Sequence, residues 1–182
     1  MHDIQTEMPN INLSTPNPER DAPFALNWFA SKFGNETLLL MGNAEHEIEP
    51  STLNSETKII EEFVELEKEN KQLTWMIRDQ DKTIGAVWVE LIDTSDVKSP
   101  GIHIMIGDKE YRGMGIGQTV ISEVLKYLVT DLKASDVYSR HLVDNYAAKK
   151  LLESFGFSNE SKAYNDVNNL NWQNVHLRIQ KF

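Results

Sequence analysis

The segment from Ile102 to Val143 constrains the fold of this chain more than any other. It reads as a strand over Ile102–Ile106, a glycine-rich turn, a helix over Ile116–Asp131 with a strong 3.6-residue apolar period, and a strand over Asp136–Val143. A strand, helix and second strand in this order form a βαβ unit, whose two strands are parallel. The sequence therefore predicts a parallel strand pair connected by a helix.

The flanking segments predict further strands and helices. Two runs rich in β-branched and aromatic residues, Leu73–Arg78 and Thr83–Ile92, flank the letters DQDK and predict a hairpin. The segment 36–49 stays open, because TLLLM fits either a short strand or the tail of a helical hairpin. The remaining predictions are an edge strand at 11–13, helices over 19–33 (stopped by Gly34), 55–71 (capped by Asn54 or Ser55) and 145–155, and strands over 161–164 and 175–180.

Length and composition restrict the class of protein. A chain of 182 residues fits a single domain over 1–182, in which we expect residues 1–10 to be a loose tail. No apolar run is long enough to span a bilayer, so no membrane contact is predicted. The absence of cysteine excludes disulfides and thiolate metal sites, and no metal is predicted. With no secretory signal in MHDIQTEMPN, we expect a cytoplasmic protein.

The net charge of −10 bears on partners. It repels nucleic-acid backbones, so no nucleic-acid partner is expected, and it favours encounter with cationic small molecules or basic peptides. Solubility explains the charge equally well. A homodimer is expected on frequency alone, because dimers are the commonest assembly of soluble enzymes.

The turn inside the βαβ unit, KEYRGMGIGQT, has the composition of an anion-binding loop. Glycines at 113, 115 and 117 precede a helix, whose first N–H groups are unpaired and carry the positive end of the helix dipole. Glycine permits close approach of an oxyanion and positive φ angles. Arg112 and Lys109 add positive charge. A tight turn that needs glycine for geometry alone is the structural alternative.

Three kinds of phosphate loop can be compared with these letters. A Walker A loop needs GxxxxGK[ST], and no Lys-Ser or Lys-Thr pair follows the glycines. A dinucleotide fingerprint needs GxGxxG, and GMGIGQ has glutamine at the third glycine. The third pattern, [RQ]xxGx[GA], is satisfied at every position from Arg112 to Gly117.

That third pattern resembles the pyrophosphate loop of the GNAT superfamily of acyl-CoA-dependent N-acyltransferases. Other segments resemble its RimJ/RimL-like branch, with Asn145 and the Gly156-Phe157 pair as anchors. These segments are RDAPFALNWF, WMIRDQDKTIGAVWVE, IHIMIGDKEYRGMGIGQ and RHLVDNYAAKKLLESFGF. The resemblance extends from Ile11 to the end of the chain.

The resemblance implies a GNAT fold of the mixed α/β class: a mostly antiparallel sheet with one splayed parallel pair and helices on both faces. It also implies acetyl-CoA as cofactor, with the pantetheine arm in the opening between Ile102–Gly107 and Asp136–Val143, paired to backbone like an added strand. The implied cofactor-binding residues are Met105, Ile106, Gly107, the loop N–H groups of Arg112, Gly113, Met114, Gly115, Ile116 and Gly117, and Asn145, which is equally a helix N-cap.

The implied reaction is attack of a neutral amine on the thioester, with the oxyanion held by a backbone N–H near Met105 or Ile106. The positions where relatives carry a general acid hold Ala148 and Leu152, so we expect the thiolate to leave without one.

For the base, Pro100-Gly101 replaces the glutamate that this branch often has at the start of the third strand. The candidates are therefore Glu90, which interrupts the apolar run VWVELI, and His103. His141 matches the branch's histidine, which favours a structural or cofactor-side role.

The sequence-level conclusion is an N-acetyltransferase that acts on a primary amine, either a small molecule or a protein N-terminus. Two other functions remain open at this point. One keeps the fold without catalysis, as an acyl-CoA-binding regulatory module. The other is a nucleotide-binding interaction domain that uses the glycine loop for an unrelated anion.

Overall fold

The computed structural model describes residues 2–30 and 32–179, with the side chain of Lys32 left out. The described residues form nine strands and five helices, joined in part by 3₁₀ turns at Glu45–Glu47 and Lys109–Tyr111. The strands are β1 Ile4–Gln5, β2 Ile11–Ser14, β3 Gln72–Asp79, β4 Lys82–Glu90, β5 Gly101–Ile106, β6 Asp136–Leu142, β7 Ser158–Asn159, β8 Tyr164–Asn165 and β9 Asn171–Arg178. The helices are α1 Pro18–Phe29, α2 Lys32–Leu40, α3 Leu53–Lys68, α4 Ile116–Thr130 and α5 Tyr146–Ser154.

All these strands belong to one sheet in the order β1-β2-β3-β4-β5-β6-β9-β7, with β8 also on β9. Every pairing is antiparallel except that of β5 with β6, which is parallel. The β5-α4-β6 segment is the predicted βαβ unit, and the predicted hairpin is β3-β4. The predicted fold class, a mixed sheet with one parallel pair and helices on both faces, is confirmed.

The two faces of the sheet are filled differently. On one face, the apolar stripe of α4 shares the main core with alternating apolar residues of β3 and β4, and Val120, Ile121, Val124 and Leu128 are fully buried there. On the other face, α1 and α3 cover a small cluster of Ala25, Trp28, Met76 and Ala86. The side chains that alternate along the strands are thus divided between a large core and a much smaller one.

The N-terminal half differs from the predictions at several points. The helix predicted over 19–33 ends at Phe29, and Gly34 lies inside α2 instead of stopping the first helix. The segment left open at 36–49 is helical as far as Leu40 and contains a 3₁₀ turn. The cap of α3 is Thr52, whose hydroxyl accepts from the Ser55 N–H, so the predicted Asn54 or Ser55 cap is wrong.

Smaller corrections concern the two ends. The tail predicted over residues 1–10 is wrong for Ile4–Gln5, because these residues pair with β2. The strand predicted over 161–164 is replaced by two two-residue strands, β7 before that segment and β8, which begins at its last residue, Tyr164. The strand predicted over 175–180 begins earlier, at Asn171, and Gln180 lies outside the described residues. The assignment of 1–182 to a single domain stays a prediction.

A buried carboxylate fastens α1 to the β3-β4 hairpin. Asp21 is fully buried and accepts a hydrogen bond of 2.7 Å from the hydroxyl of Thr83. Its oxygens also accept from the Asn17 N–H and from Arg20, and the Arg78 guanidinium lies 3.6 Å away. A buried charge is tolerated only when partners satisfy it in this way, so the network determines where α1 lies on the sheet.

Replacing Asp21 with alanine is expected to lower the free energy of unfolding by about 3–5 kcal/mol, because the buried Arg78 side chain loses its counter-charge. Urea unfolding followed by circular dichroism measures the change. Glu19→Ala, at an exposed site on the same helix, is the control and should change the stability by no more than about 0.5 kcal/mol. Equal effects of the two substitutions would contradict the role of Asp21.

Candidate functional site

The parallel strands β5 and β6 meet at one point and then separate. Their only register pair in the described residues is Gly101 with Tyr138, where the Tyr138 N–H donates to Pro100 O at 2.9 Å. One residue further on, the buried hydroxyl of Ser139 donates to Ile102 O at 2.7 Å. The side chain thus takes the place of a strand-to-strand hydrogen bond, and beyond it the sheet opens in a V.

The backbone of β5 beyond this point faces the opening at alternate residues. The Ile102 carbonyl points towards β6, and the N–H and C=O groups of every second residue in a strand point the same way. Ile104 and Ile106 therefore face the opening. Met105 directs its carbonyl towards Gly85 on β4 instead, so Ile106 is on the side that the prediction requires and Met105 is not.

The glycine loop lies at the wide end of the opening. Gly113 and Gly115 have φ angles of 76° and 81°, in the left-handed region, and a Cβ added to either would meet no atom within 4 Å. Gly115 is the N-cap of α4, so the first N–H groups of this helix have no partner inside it. The loop is an open concave surface of backbone donors at a helix N-terminus, as an anion requires.

The two basic side chains of the loop are engaged by other parts of the structure. Arg112 donates to Ile106 O at 2.9 Å and to the Thr37 hydroxyl at 2.8 Å, and burial lowers the pKa of its guanidinium. Lys109 lies over the ring of Phe33. The Arg112 N–H is also occupied, since it donates to Lys109 O at 3.2 Å. The free donors of the loop therefore begin after Arg112.

Helix α2 lies across the opening between β5 and α5. Arg112 holds its middle at Thr37, and the Asn145 side-chain amide donates to Leu40 O at its end, at 3.0 Å. The other atom of the Asn145 amide caps α5 by accepting from the Ala148 N–H. Asn145 thus has the predicted N-cap role and also ties α2 to the edge of the cleft.

Side-chain packing requires glycine at position 107. A Cβ at this position would lie 2.2 Å from the ring of Trp28, which packs directly on the backbone here. The close approach joins the end of β5 to α1. The predicted cofactor contact at Gly107 stays a prediction, because the packing alone requires glycine.

Glu90 and His103 lie side by side near the narrow end of the opening. Their strands are paired, with Glu90 opposite Gly101 and His103 opposite Trp88. His103 Nε2 is 3.7 Å from Glu90 Oε2, and the imidazole stacks on the Trp88 ring at 5.3 Å. Both of these polar atoms are buried without a hydrogen-bond partner in the described part of the chain. Buried atoms of this kind are uncommon and mark a place where a ligand can supply the missing partner.

These two side chains line a chamber of about 270 Å³. Ala148 and Leu152, at the positions expected for a general acid, also line it and offer only carbon atoms there. His141 is buried in its wall with Nδ1 2.8 Å from Leu142 O, in agreement with a structural role. The only basic group other than histidine in the wall is Arg140, which pairs with Asp96 and stacks on Trp172.

Chamber and loop belong to one cleft. A second cavity of about 260 Å³ begins at Arg112, Gly113 and Gly117. Six residues line both cavities: Leu40, Met41, Ile104, Asn145, Ala148 and Leu151. The two cavities therefore lie next to each other along the opening between β5 and β6, one beside the glycine loop and the other beside Glu90 and His103.

Sequence reasoning missed the side chains that α2 and the late loops contribute. Leu40 and Met41 come from the segment left open, where a short apolar run gave no clear period. Asp96 and Trp172 reach the chamber from segments that have no chemical motif. Among the described residues there is no cluster of potential metal ligands, and no helix is long and apolar enough to cross a membrane.

Comparison with known proteins agrees with this geometry. A family model described as an acetyltransferase (GNAT) domain matches residues 11–158. No curated protein matches the sequence.

Similar solved structures include a RimL ribosomal-protein alpha-N-acetyltransferase in complex with coenzyme A (TM-score 0.80, 13% identity, 97% of this chain and 98% of the other). The microcin C7 self-immunity acetyltransferase MccE in complex with acetyl-CoA and AMP is similar with TM-score 0.75 and 18% identity over 93% of each chain. A spermidine N-acetyltransferase from Vibrio cholerae in complex with CoA and spermine has TM-score 0.69 and 20% identity over 93% and 95%. At these identities the likeness establishes the fold.

Replacing Ser139 with alanine is expected to lower the free energy of unfolding by about 1–3 kcal/mol, because the buried Ile102 carbonyl loses its donor. Chemical denaturation measures the effect. Ser154→Ala is the matched control, since this exposed hydroxyl also donates to a backbone carbonyl, that of Leu151, where water can replace it. The role of Ser139 would be refuted by an effect no larger than that of the control.

Proposed function

The chain belongs to the GNAT acetyltransferase family, and on that premise we propose that it transfers the acetyl group of acetyl-CoA to a primary amine. Membership of the family makes it an enzyme of the acyltransferase class that uses acetyl-CoA. The observation that carries the rest of the proposal is the single cleft, which connects an anion-binding loop to a pair of buried, unpartnered proton acceptors.

The residues at the wide end of the cleft fit the phosphates of the cofactor. The N–H groups from Gly113 to Gly117 bind the pyrophosphate at the N-terminus of α4, where both open glycines leave room for its oxygens. Arg112 contributes positive charge from behind while it holds α2 in place. Ile104 offers its backbone groups to the pantetheine arm, as a strand does to an added strand.

Acetyl-CoA supplies an activated acyl group as a thioester, and the protein's task is to deliver a neutral amine to it. An amine arrives as an ammonium ion and donates hydrogen bonds to Glu90 Oε2 and His103 Nε2, which satisfies both buried atoms. One of the two then accepts the proton, which frees the nitrogen lone pair. The Ile104 N–H faces the opening and is the donor available to the acyl oxygen as negative charge develops there.

The departing sulfur receives no proton from the two positions where one is expected. Ala148 and Leu152 line the chamber with carbon atoms alone. A thiolate is a stable enough leaving group to depart without a side-chain acid. As the tetrahedral adduct collapses to the amide, its nitrogen gives up a second proton to the other of Glu90 and His103, and both protons return to solvent in later steps.

The acceptor is proposed to be cationic before it reacts. Carboxylates of Glu90 and Asp96 line the chamber, and Arg140 is already engaged by Asp96 and Trp172. The net charge of −10 favours the approach of cations to the whole surface. A cytoplasmic location and a homodimer stay predictions of the sequence.

Gly115→Asp is expected to abolish acetyl-CoA binding, because a carboxylate at this position would fill the concave surface and repel phosphate. Isothermal titration calorimetry with acetyl-CoA measures the loss, and circular dichroism follows the fold. Gly156→Asp is the matched control: Gly156 also has a positive φ at a helix end, of 89°, but lies outside the cleft. Unchanged acetyl-CoA affinity in Gly115→Asp would refute the role of the loop, as would stronger binding of ATP or NAD than of acetyl-CoA by the wild type.

Glu90→Gln is expected to lower kcat by about 100-fold, the lower end of what a general base contributes, with little change in acetyl-CoA affinity. Thiol release with a panel of primary amines measures turnover, and calorimetry measures the affinity. Glu65→Gln, on the exposed face of α3, is the control. Turnover equal to that of the control would exclude Glu90, and acetyl-CoA binding without turnover on any amine would favour a regulatory module over an enzyme.

A further inference from the structure

A third cavity of about 480 Å³, larger than either cavity of the cleft, lies beside them. It is enclosed by α1, α3, the segment that follows α2, and the face of the sheet with the smaller core. Its walls are mainly apolar, with Trp28, Phe29, Ile59, Phe63 and Met76 among them. A volume of this size and an apolar wall are typical of sites for small organic molecules.

This apolar pocket adjoins the reaction chamber. Trp88 separates the two, because one face of its ring stacks on His103 while other atoms line the pocket. Met41 lines the pocket, the chamber and the second cavity of the cleft, which lies beside the glycine loop. Met105 lines the pocket and that second cavity. A molecule in the pocket is therefore next to Glu90 and His103 without occupying the cofactor's part of the cleft.

The charged residues that line the pocket, within the part of the chain that the structure describes, are all acidic: Glu47, Glu49 and Glu56. Glu56 is almost completely buried at 4% exposure, and that burial raises the pKa of its carboxyl group. A ligand with a carboxylate would have to lose its hydration in a wall that offers no positive partner, which is costly.

We propose that this pocket binds the body of the acceptor, and that the acceptor is a primary amine carried on an apolar chain or ring without an anionic group. The inference rests on the function proposed above and adds the acceptor's class to it. The amine reaches Glu90 and His103 past Trp88 and Met41, and the apolar body stays between α1, α3 and the sheet. Burial of apolar surface in the pocket supplies the binding energy, and the glutamates select against amino acids and other carboxylated amines.

Three amines of nearly equal basicity test the inference: ethylamine, hexylamine and 6-aminohexanoate. Hexylamine is expected to have a kcat/KM about 100-fold above that of ethylamine, since each buried methylene contributes a factor of several. The 6-aminohexanoate ion, with the same chain and a terminal carboxylate, should fall back to the level of ethylamine. Binding of each amine to the CoA-loaded protein is measured by calorimetry, independently of turnover.

Ile59→Ser removes apolar wall from the pocket at a half-exposed position, and Leu53→Ser is the matched control. Both residues lie on α3 with 44% and 51% exposure, but Leu53 does not line the pocket. Ile59→Ser should weaken hexylamine binding about 5-fold, whereas Leu53→Ser should leave hexylamine binding and ethylamine turnover unchanged.

The two proposals fail in different ways. Acetylation of hexylamine that is no faster than that of ethylamine, or that is equally affected by Ile59→Ser and Leu53→Ser, overturns the pocket assignment and leaves the acetyltransferase intact. Hexylamine binding that depends on Ile59, without acetylation of any amine, supports the pocket and overturns the proposed reaction. Failure of hexylamine to bind the CoA-loaded protein overturns the pocket assignment.

Discussion

The pairing of β5 with β6 at a single point is the constraint on which the rest of this structure depends. Gly101 and Tyr138 form the only register pair among the residues that the structure describes, and the contact ends where the Ser139 hydroxyl donates to the Ile102 carbonyl. A fully paired strand would have closed the sheet and left no room for a ligand. Because the pairing stops, the backbone of Ile104 is not paired to β6, and α4 presents its N-terminus to the gap. Glu90 and His103, near the point where β5 and β6 separate, lie close to a ligand that enters the gap.

The two faces of the sheet are filled unequally, and the difference matches the roles proposed for them. The face of the sheet covered by α4 is tightly packed, so it gives rigid support to the glycine loop and to the point where β5 and β6 separate. The opposite face has only a small cluster beneath α1, positioned by the buried Asp21 network, and the remaining space between α1 and α3 is the apolar pocket. In the proposals made above, the cofactor is supported by the rigid face, and the second substrate is recognised on the face with free volume.

Much of this arrangement could be predicted from local patterns. The βαβ unit and the loop were recognisable, because periodicity and the glycines at 113 and 115 report on backbone geometry that a few neighbouring residues determine. The register of Met105 was off by one residue, since alternating apolar letters do not say which side of a strand faces a gap. Helix α2 and the apolar pocket were not predictable, because both depend on contacts such as that of Asn145 with Leu40 between residues far apart in the chain.

The anion-binding loop consists of main-chain donors, and this has a consequence for how such a protein can change over evolutionary time. Substitutions around the loop, except those to proline, remove none of the N–H groups, whereas a side chain at Gly113 or Gly115 would project directly into the open surface. The acceptor side is built from side chains on several elements, and each of them can be exchanged singly. One scaffold can therefore keep its acyl donor through long divergence while it acquires new acceptors one residue at a time.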